Sequence, residues 1–224
     1  MIDVAEQNKP AAAPDGVPPP MTFVWGPVVA VILLVAAIGS IFWLHQRPAP
    51  TIGGPFQLTD ATTGRQVTDR DFRGKWLLVF FGYTYCPDVC PTTLSDISGA
   101  LAQLGPLAEQ IKPLFITVDP QRDTPQVLAD YTAAFDPRIV GLTGTPDQIA
   151  VAAKGYNVYY AKRVIGDDYY MDHTATVYLM RPDGSYESSF LSTADSTDMA
   201  ERLRADLQQP KSIGSAAPNG ATLR

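Results

Sequence analysis

The chain has 224 residues, with 17 Lys and Arg against 23 Asp and Glu and a formal net charge of −6. An acidic chain without a basic stripe cannot neutralise a phosphate backbone, which excludes nucleic-acid binding. Two cysteines and two histidines exclude a four-cysteine zinc module or a histidine-rich cluster, while 46% apolar and 10% aromatic residues can fill the core of one domain of about 150 residues plus appendages.

Residues 1–20 are rich in Pro and Ala, and a short disordered head is expected there. Residues 21–44 then run MTFVWGPVVAVILLVAAIGSIFWL without a charge. As a helix rising about 1.5 Å per residue they reach roughly 36 Å, enough for a bilayer core of about 30 Å with some tilt. Trp25 and Trp43 near the ends suit the membrane interface, and Pro27 falls in the first turns, where its missing N–H matters little. A cleaved signal peptide would need a basic start and a shorter apolar core, and a mitochondrial transit peptide would be Arg-rich. An uncleaved anchor in a bacterial chain is therefore expected. Lys9 and Arg47 balance across the span, so charge alone leaves its orientation open.

Residues 45–55 form a Pro-rich linker, after which a soluble domain is expected over 56–207. Phe56 to Thr59 and Arg65 to Thr68 flank Gly64 and predict a hairpin. Trp76 to Phe81, WLLVFF, suits a strand buried on both faces. Leu94, Ile97, Leu101 and Leu104 predict a helix after it, and Leu114 to Val118 a second buried strand. Thr124 and Pro125 open another helix as N-cap and first residue, with Val127 and Tyr131 on its inner face and Leu128 and Phe135 beside them. A brief strand over 139–142, a short helix over 146–153, strands over 157–161 and 174–180, a turn at Pro182-Asp183-Gly184, a strand over 186–191 and a helix over 196–207 complete the domain. The tail 208–224 is small, polar and expected to be mobile. This order predicts an α/β thioredoxin-like sandwich: a central mixed sheet, an N-terminal hairpin, one extra segment over roughly 139–161, and a single transmembrane helix in front.

Both cysteines fall in Tyr83-Thr84-Tyr85-Cys86-Pro87-Asp88-Val89-Cys90-Pro91, between the first buried strand and its helix. The carboxyl end of a strand facing a helix amino end is where open α/β sheets place functional groups, and the helix N–H groups favour a thiolate. As a staple the pair would close a very small ring and stabilise little, so a redox-active or metal-binding pair is the stronger reading. His45 sits at the expected membrane boundary. His173 stands just ahead of the 174–180 strand, in a loop that a thioredoxin-like layout puts across from the cysteines. By spacing alone, a lone His there is as readily an exposed or hydrogen-bonded side chain as a ligand.

Asp119 and Asp123 are candidate carboxylates for the surroundings of a metal, but in a Pro-flanked turn before a helix they are rather expected to serve the backbone, with an indirect influence on the cysteine loop. Asp172 is a candidate to orient the imidazole. Tyr83 and Tyr85 are expected to shape the rim of the site, Met171 to pack, and Asp88 has no assigned role.

The run Tyr83 to Leu94 resembles the signature of the Sco family, SenC-like copper chaperones for cytochrome c oxidase assembly. Val118-Asp119-Pro120-Gln121-Arg122-Asp123-Thr124-Pro125 and Asp172-His173-Thr174-Ala175 are similar to two further family segments, and the likeness spans about residues 56–207. The resemblance implies one copper ion, Cu(I) or Cu(II), held by Cys86, Cys90 and His173, with Cys86 and Cys90 also cycling between dithiol and disulfide. It implies a non-enzymatic chaperone for the dinuclear copper site on the copper-bearing subunit of cytochrome c oxidase. Another periplasmic copper chaperone or a thiol reductase is a further partner it suggests. The chain is expected to be a monomer, tethered to a bacterial inner membrane by residues 21–44, with its soluble domain in the periplasm, a compartment that also suits a disulfide-capable pair. The alternative is a metal-independent thiol–disulfide oxidoreductase of the cell envelope. A peroxidase would need an Arg beside the thiolate, and the nearest in sequence is Arg73.

Overall fold

A computed structural model describes residues 25–45 and 52–208, which fall in two separate units divided after Ala49. The first unit contributes one helix, α1 (Trp25–His45), of 21 residues without a charge. It falls where the apolar span 21–44 is expected; among the described residues, no helix is long and apolar enough to cross a membrane. The expected head 1–20 and the tail beyond Gln208 lie outside the described residues.

The second unit is built on a seven-stranded mixed sheet. In chain order its elements are β1 (Gln57–Asp60), β2 (Gln66–Thr68), β3 (Trp76–Gly82), α2 (Val89–Leu104), β4 (Ile111–Thr117), α3 (Pro125–Ala133), β5 (Val140–Thr143), α4 (Pro146–Gly155), β6 (Tyr160–Ile165), β7 (Asp168–His173), β8 (Thr176–Met180), β9 (Tyr186–Leu191) and α5 (Ser196–Gln208). The sheet runs β2-β1-β5-β4-β3-β8-β9, and β6 and β7 form a two-stranded sheet of their own. The middle is parallel: β3 pairs with β4 from Trp76–Ile111 to Gly82–Thr117, and β4 with β5. Antiparallel hairpins close both edges, β1–β2 at one and β8–β9 at the other.

The core follows the apolar runs. All seven residues of β3 are buried, as strands covered on both faces require. Phe80, Phe81, Phe115, Phe190, Leu78 and Leu114 are among the largest fully buried side chains, each contributing about 1.5–3 kcal/mol by leaving water. Helix α2 turns Leu94, Ile97, Leu101 and Leu104 inward at helical spacing and packs on α5. Gly99 lets that contact close, since a β-carbon there would stand 2.8 Å from Ser196 Cβ.

Helix α3 begins as expected, with the Thr124 hydroxyl accepting from the Val127 N–H. Its inner face holds Leu128 and Thr132, with Tyr131 against the Phe115 ring at 5.8 Å as expected, while Val127, also expected inside, is 41% exposed. Leu128 packs over Gly141 of β5, which rotates Val127 to the outside. Helix α4 opens on a capping box in which Thr145 and Gln148 satisfy one another's backbone N–H groups.

The largest departure lies after α4. The strand expected over 157–161 instead starts at Tyr160, because Asn157 adopts a left-handed conformation with φ 55° at the helix end. It then pairs with β7, which the sequence reading places in a loop. The turn between them is made by Gly166 at φ 63°.

Candidate metal centre

The cysteine loop links the carboxyl end of β3 to the amino end of α2. At Gly82 the backbone passes so close to the site that a β-carbon would stand 2.7 Å from Cys90 Sγ and 2.7 Å from the Phe115 ring. Asp88 occupies the N-cap position of α2 but makes no side-chain cap bond. The Cys90 N–H, one of the orphan donors of a helix start, donates instead to Cys86 Sγ at 3.4 Å. A sulfur thus does the work of a capping oxygen.

Cys90 is buried and Cys86 partly exposed, both as free thiols. The Cys86 thiol is lowered from 9.0 to about 3, mainly because the Cys90 thiol donates to it. Burial opposes the shift, and the N–H groups of Cys90 and Asp88 support it. Cys90 is pushed upward, since its proton bonds the neighbouring sulfur and its surroundings exclude water. Reduced, the pair is one thiolate and one thiol sharing a hydrogen bond.

His173 is the last residue of β7, paired across the hairpin with Tyr160. Its Nε2 stands 3.6 Å from Cys90 Sγ. On the other side of the ring, Nδ1 lies 3.2 Å from the Thr174 carbonyl oxygen. A carbonyl only accepts, so Nδ1 carries the proton and donates, which leaves Nε2 as the nitrogen that can offer a lone pair toward the sulfurs. The ring is steered by Tyr83, edge-on at 5.8 Å between centroids, and by Phe80 at 6.2 Å. One ligand atom from each of Cys86, Cys90 and His173 lies within 4.8 Å of the others. Two sulfurs and an imidazole nitrogen form a soft donor set that prefers copper(I) and admits zinc.

The candidates around this triad divide sharply. Asp123 is fully buried, and it accepts from the Thr84 N–H at 3.1 Å, the Thr84 hydroxyl at 2.6 Å and the Thr117 hydroxyl at 2.5 Å. It therefore ties the cysteine loop to the end of β4, the indirect influence expected of it. Asp119 accepts from the Tyr169 hydroxyl at 3.0 Å. Asp172 does not orient the imidazole: it takes two bonds from Arg163, at 2.7 and 3.0 Å. Adjacent residues on a strand point to opposite faces, so Asp172 faces away when His173 faces the sulfurs. Tyr83 is buried against the ring, whereas Tyr85 is 60% exposed at the rim, and Met171 is buried. His45 is the last residue of α1, in the other unit. Sequence reasoning missed one contributor, the Thr174 carbonyl, which is invisible because every residue carries a carbonyl. A cavity of about 800 Å³ lies between Ile52–Pro55 and the turn at Pro182–Ser185. Its lining holds no thiol and no imidazole.

Known proteins match this architecture. The SCO1/SenC family model matches residues 45–208. A protein SCO1 homolog, mitochondrial, from Homo sapiens is 42% identical over 145 residues, 63% of this chain and 48% of its own length. The chain spans about half the length of that curated relative. The structure of Bradyrhizobium japonicum ScoI with copper bound is similar with 48% identity and a TM-score of 0.64, covering 69% of this chain and 98% of that one. Yeast Sco1 with copper bound is similar with 36% identity and a TM-score of 0.64, over 75% and 92% of the two chains. With most of its length matched by one family model, the chain belongs to the SCO1/SenC family.

Proposed function

We propose that this chain is a membrane-tethered copper chaperone that binds one copper ion through Cys86, Cys90 and His173. Its task is to deliver that ion to the dinuclear copper site of cytochrome c oxidase, on the copper-bearing subunit. In this reading residues 21–44 anchor the chain in a bacterial inner membrane, and a thioredoxin-like domain over 56–207 acts in the periplasm as a monomer, with no turnover of its own. The span rests on 24 uncharged residues with a tryptophan near each end. Another periplasmic chaperone or a thiol reductase would supply the ion or keep the pair reduced.

The observation that carries the reading is the approach of two sulfurs and one imidazole nitrogen to within 4.8 Å of one another. The copper-bound relatives from Bradyrhizobium japonicum and yeast support copper as the cargo. The residues have distinct parts. Cys86 offers an accessible thiolate for first contact, Cys90 yields its proton as the ion enters, and His173, held from behind by Thr174, closes the third position. Titration of the reduced chain with copper should give one ion per chain. Cys86→Ser, Cys90→Ser and His173→Ala should each weaken binding on the order of 100-fold, about 2.7 kcal/mol. Wild-type affinity in the His173→Ala chain would remove the imidazole from the site.

A second reading is favoured by the depressed Cys86 thiol beside a protonated Cys90. That arrangement is the attacking and resolving pair of a thiol–disulfide oxidoreductase. It makes reduction of the client's cysteines a companion task, and in a metal-independent protein it would be the whole task.

A further inference from the structure

The strand that presents His173 is not part of the seven-stranded sheet; β6 and β7 pair only with each other. The Thr174 N–H donates to the Tyr159 carbonyl at 2.9 Å and fixes the root of the hairpin. Farther out, contacts gather on Tyr169, four residues before His173. Arg122, in the turn after β4, lays its guanidinium carbon 3.4 Å from the Tyr169 ring centroid. Its Nη1 donates to the Tyr169 carbonyl at 3.1 Å, and its Nη2 pairs with Asp168. The Tyr169 hydroxyl reaches back to Asp119 at 3.0 Å. Lys162 lies 3.9 Å from the same ring and donates to Gln121 at 2.8 Å. The same guanidinium stands 5.0 Å from the ring of Tyr85, the residue before Cys86. One planar cation thus touches both the cysteine loop and the histidine strand.

We infer that Arg122 is a positioning residue of the metal centre: by clasping Tyr169 and Asp168 against Tyr85, it sets where the His173 ring stands relative to the two sulfurs. The inference rests on the copper-binding reading above. An exposed Arg–Asp pair alone would do little. Here the guanidinium side chain is only 18% exposed and stacked on aromatic rings, where a lysine cannot reproduce the planar fork.

The test is a mutant cycle in the full, reduced chain with copper as the titrant. Arg122→Ala should lower copper affinity about 10- to 100-fold, as loss of a partner behind a metal ligand does, with Arg122→Lys in between. In a His173→Ala background the same change should cost nothing further, because the ligand it positions is already gone. The nitrogen splitting in the electron paramagnetic resonance spectrum of the copper(II)-loaded Arg122→Ala chain should weaken. Without metal, amide exchange over residues 168–173 should quicken while β3 and β4 keep their protection. Wild-type affinity in Arg122→Ala, or an equal loss in both backgrounds, would overturn the inference. If the wild-type chain takes up no copper, the chaperone reading falls by itself, and amide exchange alone decides the clasp: quickened exchange upholds it and unchanged exchange ends it. Should Arg122→Ala fail to fold, Tyr169→Leu removes the clasp from its other end and is read in the same cycle.

Discussion

Cys86 and Cys90 are the same residue type four positions apart, yet the fold assigns them opposite protonation. Cys86 receives the Cys90 N–H and thiol and faces solvent in part; Cys90 is buried behind it. The depressed thiol predicts a pH profile for the reduced, metal-free chain. A group lowered to about 3 is already a thiolate at every pH above 5. Alkylation of Cys86 by iodoacetamide should therefore be nearly flat between pH 8 and 5, where an ordinary cysteine, with a pKa of about 8.5, slows about tenfold per unit. Cys90, pushed the other way, should stay unmodified over that range. Peptide mapping by mass spectrometry at each pH reads both sites, and a tenfold fall per unit at Cys86 would contradict the hydrogen-bonded pair.

Elements with a clear apolar rhythm were legible from sequence, and the one lacking that rhythm was not. WLLVFF declares a strand buried on both faces because only the middle of a sheet tolerates such a run, and β3 is that strand. Thr124-Pro125 declares a helix start through its cap. The β6–β7 hairpin carries Lys162, Arg163, Asp168 and Asp172 and leaves Val164 and Ile165 exposed, so no alternation marks an inner face. The sequence puts His173 across from the cysteines, and its Nε2 stands 3.6 Å from Cys90 Sγ, but the strand that delivers it has no signal in the sequence. The role of Asp172 is open in the sequence for the same cause, since its partner Arg163 is near only once the hairpin exists. Asp123 shows how an element end holds a loop. Asp123→Ala would leave the Thr84 N–H and the hydroxyls of Thr84 and Thr117 without their acceptor. Loss of such buried bonds costs about 1–3 kcal/mol each, less whatever neighbouring groups or water recover. Chemical denaturation should show a loss of about 2–4 kcal/mol, and copper affinity should fall because the cysteine loop loses its tie to β4. Unchanged stability would mean that water replaces the carboxylate fully.

At the scale of the domain, the sheet brings three distant segments to one end: the loop after β3, the turn after β4 and the strand leading into β8. Thiol chemistry needs only the first of these, whereas a soft metal cradle needs the third as well. That difference separates the two tasks proposed for the chain in the cell. Deleting the gene should lower cytochrome c oxidase activity, and added copper should restore it if delivery is the task. Complementation with His173→Ala sharpens the comparison, because that chain keeps both thiols and loses only the imidazole. If delivery dominates, His173→Ala should leave oxidase activity near the level of the deletion and respond to added copper as the deletion does. If reduction of the client's cysteines dominates, His173→Ala should restore activity, while Cys86→Ser and Cys90→Ser should not, and an added thiol reductant should rescue both. Full oxidase activity in the deletion strain, at limiting copper and without reductant, would remove the chain from oxidase assembly altogether.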